Sequence, residues 1–94
     1  SWRGKMIKLF FDILEAVVVL LELSIFATVL MSWISPEGKG SINEILHQIT
    51  DPILGPIRKI VPPLGMFDFT PMIAIFVLQF PVMYIIRFLE VTLS

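Results

Sequence analysis

The chain has no cysteine and a single histidine, His47, among its 94 residues. Without cysteine there is no disulfide framework and no thiolate metal site, and one imidazole lacks the spaced partners that a zinc centre needs. Charge is also scarce. Seven Lys and Arg against eight Asp and Glu give a formal net charge of -1, which could not neutralise a row of phosphates, so nucleic acid is excluded as a partner. There is no glycine-rich phosphate loop, no HExxH and no paired-histidine spacing, and catalysis has almost no material to work with. The chain reads as a non-enzyme that holds no cofactor and no metal.

What it does have is apolar length. Hydrophobic residues make up 56% and charged residues 16% of the chain, and the mean hydropathy is +0.90. So small and apolar a chain needs lipid as part of its solvent. From about Leu9 to Ile34 the sequence is almost unbroken aliphatic and aromatic, interrupted by Asp12, Glu15 and Glu22. Its cleanest part, Ala16 to Ile34, gives roughly 28 Å of helix, close to the thickness of the hydrocarbon core. Trp33 near the end is placed as an interfacial anchor. A cleaved signal peptide is disfavoured, since the run is too long and no small-residue cleavage site follows Trp33. Ser1-Trp2-Arg3-Gly4-Lys5 ahead of Met6 is expected to precede the natural start and is set aside from the fold.

The connector carries most of the prolines. Ser35-Pro36-Glu37-Gly38-Lys39-Gly40 breaks the first helix. A short amphipathic helix is then predicted over 41–50, with Ser41 and Glu44 as a capping box. Ile42, Ile45, Leu46 and Ile49 share one face, opposite Asn43, Glu44, His47 and Gln48. Asp51-Pro52 reads as the start of a second short helix over 52–61, because the pre-proline position avoids the α region. In that helix Ile53, Leu54, Ile57, Ile60 and Val61 share one arc, with Gly55, Arg58 and Lys59 outside it. Pro62-Pro63 stops the segment. Two such helices in tandem suggest a belt in the headgroup layer.

The second span, 70–89, opens on Thr70 as cap and Pro71 as first helical residue. Gln79 and Pro81 interrupt it at depth, with Tyr84 and Arg87 near the far end. Pro81 frees the carbonyl of Val77, and a modest kink is expected. Together the patterns predict an all-α membrane protein, a two-helix transmembrane hairpin with short amphipathic interfacial helices in the connector, and both termini on one side. The side itself is weakly specified, because terminal and connector cations are nearly balanced.

Single residues carry competing readings. Glu22 lies about 18 Å along the first span from Ile34, where a carboxylate costs about 2.5 to 3.5 kcal/mol on insertion scales. It either is protonated or pairs with Tyr84 or Arg87 and fixes the hairpin register, or it joins Glu15, seven residues away on the same face, and Gln79 in a polar path across an oligomer. Arg87 is within reach of Glu15 or Glu22. Arg58 and Lys59 either grip anionic headgroups or a partner's acidic surface, or simply form a solvated basic edge. Asp51 and Asp68 read as helix caps. His47 is a metal or haem contact on one reading and a lone imidazole on the wet edge of a helix on the other.

Ser32-Trp33-Ile34, Thr50-Asp51-Pro52, Pro56-Ile57-Arg58-Lys59, Pro62-Pro63-Leu64-Gly65 and Asp68-Phe69-Thr70-Pro71 occur in the order, between two spans, seen in the YggT family, also called YlmG, and the chain resembles that family over about residues 28 to 80. The resemblance makes Trp33, Asp51, Pro52, Pro56, Pro62, Pro63, Gly65, Asp68 and Pro71 the structural motif. Thr28 stands where members often carry arginine, so no basic role inside the first span is carried over. The resemblance implies a small integral protein of the bacterial plasma membrane, linked to cell division, envelope organisation and osmotic or ion tolerance. Plastid relatives are linked to nucleoid distribution and to haem attachment in a b-type cytochrome.

The reading favoured is a membrane adaptor or assembly factor acting through the connector, with Ile53, Ile57, Ile60, Arg58 and Lys59 as the contact surface. Its partners are the bilayer, other membrane proteins and possible further copies of the chain. The rival is a homo-oligomeric ion or proton conductor centred on Glu22.

Overall fold

A computed structural model describes residues 1–35, 37–61 and 68–94. The expected helix stop at Pro62-Pro63 and the motif position Gly65 lie outside the described residues, as does Pro36. The elements are α1 (Trp2–Ile34), α2 (Ser41–Ile60), α3 (Thr70–Val77), a π-helical turn (Leu78–Val82) and α4 (Met83–Leu93). No strand occurs among the described residues.

Helix α1 begins earlier than the hydropathy suggests. Ser1 caps it, its Oγ accepting from the Gly4 amide at 3.1 Å, and Trp2–Lys5 form its first turn. Only Phe11, Val18 and Ile25 are buried along its length. They recur every seven residues, which defines one narrow seam against the rest of the fold. Leu20 and Phe26 remain more than half exposed. A helix that is apolar all round yet covered along one seam matches lipid surroundings better than water.

The second long helix runs from Thr70 to Leu93 as α3, the π turn and α4. Pro71 sits in its first turn, where a missing amide costs nothing. The cap is Phe69, not Thr70, and the Asp68 carboxylate accepts from the Thr70 amide at 3.0 Å. Pro81 is accommodated by the π turn around it. Widening the ladder relieves the clash between the proline ring and the carbonyl four residues back. Both this helix and α1 are long and apolar enough to cross a bilayer.

The connector departs most from expectation. Residues 41–60 form one continuous helix, not two meeting at Asp51-Pro52. Pro52 and Pro56 both lie inside it and are exposed. Each removes one donor, from the carbonyls of Gln48 and Pro52 respectively, and on an open face water or headgroups can satisfy what is left. The capping box is absent as well: Gly40, at φ 111°, is the N-cap, and Ser41 is already helical. A φ in that range suits glycine and few other residues.

Helix α2 folds back against the ends of both long helices. Leu54 belongs to the same buried cluster as Val18 and Ile25 of α1 and Ala74, Leu78 and Met83 of the second span. Asn43 and Thr50 are buried with their polar atoms satisfied locally, Asn43 Nδ2 donating to the Lys39 carbonyl at 2.9 Å and Thr50 Oγ1 to the Leu46 carbonyl at 2.8 Å. Hydroxyls bonded back into their own helix can be buried cheaply.

Candidate functional site

Two polar clusters stand out, one between the spans and one where α2 meets them. In the first, Glu15 and Glu22 share the α1 seam with Phe11, Val18 and Ile25, each carboxylate lying four residues after a buried apolar position. Both therefore face the second span. The Gln79 side-chain amide, turned with its nitrogen toward Glu22, donates to the two carboxylate oxygens at 2.9 and 3.3 Å. Arg87 Nε lies 3.8 Å from Glu15 Oε1. The partner of Glu22 is thus Gln79, not Tyr84 or Arg87. Tyr84 is 72% exposed and joins neither carboxylate.

The register of these pairs depends on the π turn. Glu15 and Glu22 are seven residues apart, whereas Gln79 and Arg87 are eight apart. In an unbroken α-helix the eighth residue would be rotated about 100° from the seventh. One π turn absorbs that extra residue, so both pairs form on the same side of the hairpin.

The second cluster lines a cleft of about 510 Å³ between the end of α1, one face of α2 and the start of α3. Thr28, Ser32 and Trp33 come from α1, His47, Asp51, Leu54 and Arg58 from α2, Asp68 and Phe69 from the residues ahead of α3, and Pro71 and Met72 from its first turn. Arg58 Nη2 donates to Asp68 Oδ2 at 3.2 Å, tying the end of α2 to the start of α3. Burial pushes the Asp68 carboxyl upward, but hydrogen bonds from Thr70 and the Arg58 guanidinium outweigh it and hold the group below its ordinary value. His47 Nδ1 lies 3.4 Å from Asp51 Oδ1, and both side chains are half exposed.

These contacts redistribute the roles expected from sequence. Asp68 does satisfy the start of a helix, but Asp51 sits in the middle of α2 and cannot cap it. Arg58 is engaged with Asp68, while Lys59 makes no ion pair among the described residues. Ile53 and Ile57 pack against the core, whereas Ile60 is 82% exposed. His47 has a carboxylate partner, and no group of three His, Asp or Glu able to hold a metal occurs among the described residues. The spacing of His47 and Asp51, one helical turn apart, could have signalled their pairing, but the assumed break at Pro52 hid it.

Read as a single helix, α2 has a third face. Ile42, Ile45, Ile49, Pro52, Pro56 and Ile60 are all exposed, and at 100° per residue they fall within one arc of about 80°. This arc is distinct from the buried side carrying Thr50 and Leu54 and from the cleft side carrying His47, Asp51 and Arg58.

The fold and its clusters define a class of all-helical protein, in which two helices able to cross a bilayer are joined by an amphipathic helix held to the ends of both. Comparison with known proteins gives a family. The model of the CCB3/YggT family matches residues 7–89, and the chain belongs to that family. It is 34% identical over 80 residues to the uncharacterized protein YggT of Escherichia coli K12, covering 85% of this chain and 42% of that protein. An uncharacterized protein of Haemophilus influenzae is 41% identical over 56 residues, or 60% of this chain and 30% of its own length. One from Pseudomonas aeruginosa is 31% identical over 82 residues, with 84% and 42% covered. The chain therefore spans less than half the length of these relatives. No solved structure matches.

Proposed function

We propose that this protein is a non-enzymatic adaptor or assembly factor of the bacterial plasma membrane, with both termini on one side and α2 as the element that engages other membrane proteins. The observation that carries this reading is the exposed arc Ile42, Ile45, Ile49, Pro52, Pro56 and Ile60 on a helix whose opposite side is anchored by Leu54 in the shared core. A rigid apolar strip held at the ends of two spans can receive the side of a partner helix, and the basic Lys59 borders it. The surface is thus shifted from Ile53 and Ile57, which pack inward, to the row beginning at Ile42.

Position-specific photocrosslinking in native membranes tests the reading. A crosslinker at Ile45 or Ile49 is expected to capture a defined membrane-protein neighbour, and one at Ile53 is not. Ile49→Asp should abolish that capture while the chain remains membrane-inserted, and Lys59→Gln should weaken it. Equal capture from Ile45 and Ile53, or capture that survives Ile49→Asp, would count against α2 as the working surface.

A further inference from the structure

We propose that the cleft beneath Trp33 binds a phosphoethanolamine group, supplied by an aminophospholipid of the surrounding leaflet. This goes beyond the adaptor reading and uses a different arc of α2, so the two can fail separately. His47, Asp51, Leu54 and Arg58 recur along one side of α2 and line the same cleft. Its charges are not a simple basic patch. Asp68 is matched by Arg58 at 3.2 Å, while among the described residues Asp51 has only the His47 ring, at 3.4 Å. Two carboxylates, Asp51 and Asp68, thus share the cleft with one guanidinium.

Such a site selects a zwitterion. Arg58 spends one Nη2 donor on Asp68, and a guanidinium has further N–H donors with which to take a phosphate oxygen. Asp51 lies seven residues from Arg58, roughly 10 Å along the helix axis, and reach of the two side chains narrows that gap to the span of a headgroup whose phosphate and ammonium are joined by two carbons. The ammonium can donate to Asp51 while resting near the Trp33 indole, which is 75% exposed and lines the cleft. Leu54 and Met72 add an apolar wall for the glycerol end. The lipid source follows from position, since Trp33 lies in the last turn of the first long helix and Pro71 in the first turn of the second, at the depth where headgroups lie.

The chemistry fixes an order among lipids. Phosphatidylcholine presents a phosphate and a cation but no N–H for Asp51. Phosphatidylglycerol presents no cation and leaves Asp51 unmatched. Native mass spectrometry of the full chain, released from micelles containing equal amounts of the three lipids with identical acyl chains, is expected to show phosphatidylethanolamine retained about tenfold over either competitor. Asp51→Asn should bring the ethanolamine-to-choline ratio close to one, Asp51→Glu should restore it, and Arg58→Gln should lower retention of all three. Lys59→Gln, which removes a charge outside the cleft, should leave the ratio unchanged. Helical circular dichroism of each variant separates loss of the site from loss of the fold. Equal retention of the three lipids, preference for phosphatidylglycerol, or a ratio that survives Asp51→Asn in a folded variant would overturn the proposal. Displacement of the lipid by an equal concentration of soluble glycerophosphoethanolamine would overturn the lipid source, and failure to displace it would support that source.

Discussion

At the scale of single residues, polar side chains decide how tightly the two long helices are registered. Gln79 serves both oxygens of Glu22, so Gln79→Leu leaves the Glu22 carboxyl between the two long helices without its donor. Losing that partner should destabilise the hairpin by about 1–3 kcal/mol. Replacing both residues by leucine should recover most of the loss, because an apolar pair of matched shape leaves nothing unsatisfied. Denaturant titration in detergent, followed by circular dichroism, checks the two variants, and equal stability of wild type and Gln79→Leu would show that the pair contributes nothing. Asp68 makes a different case, since its folded-state pKa lies below its unfolded value. The stability it contributes is then complete above the ordinary aspartate range, near 3.8, and is lost as pH falls through the lower folded value. Carbon-detected titration of the Asp68 carboxyl should give a midpoint below 3.8, moving upward in Arg58→Gln.

At the scale of elements, proline does two different things in this chain. Pro71 lies in the first turn of a helix, one residue further in than the sequence places it. Pro52, read from local rules as a helix start after Asp51, and Pro56 are both carried through a continuous helix because Leu54 and Thr50 anchor its other side. Tertiary packing here outweighs a local penalty of roughly 3 kcal/mol per interior proline. That override is not visible in residue types alone, and with it went the pairing of His47 and Asp51 and the exposed arc that joins Ile42 to Ile60. The apolar lengths, the seam bearing Glu15 and Glu22, and the reach of Arg87 toward Glu15 were all legible, since each rests on periodicity or length. The choice of Gln79 over Tyr84 for Glu22 was not, because it turns on an inserted π residue that no hydropathy pattern encodes. This makes Pro81→Ala informative. If the segment returns to α geometry, Arg87 rotates about 100° away from Glu15. The chain has no cysteine of its own, so disulfide trapping between Glu15→Cys and Arg87→Cys should be efficient in the wild-type background and markedly reduced with Pro81→Ala. Undiminished trapping would show that the register is held by packing independently of Pro81.

For the whole molecule, the question is which way the hairpin sits. The two chain ends are neighbours: Ser1, Arg3 and Gly4 line one hollow with Leu93 and Ser94, whereas α2 packs at the opposite ends of the long helices. If both long helices cross the bilayer, Ser1→Cys and Ser94→Cys should react with an impermeant maleimide from one side and Gln48→Cys from the other. Labelling of the two termini from opposite sides would rule out the hairpin topology. Orientation is finely balanced, because Arg3, Lys5, Lys8 and Arg87 at the terminal end face Lys39, Arg58 and Lys59 in the connector. Orientation follows the count of Lys and Arg in short flanking segments, not net charge. Replacing Lys39 and Lys59 by glutamine leaves one connector cation against four and should hold the termini in the cytoplasm. Replacing Arg3 and Lys5 instead leaves three against two in favour of the connector and should tip the same chain the other way, with the maleimide pattern inverted. An orientation indifferent to both exchanges would mean that contacts with other proteins, and not the chain's own cations, set its direction in the membrane.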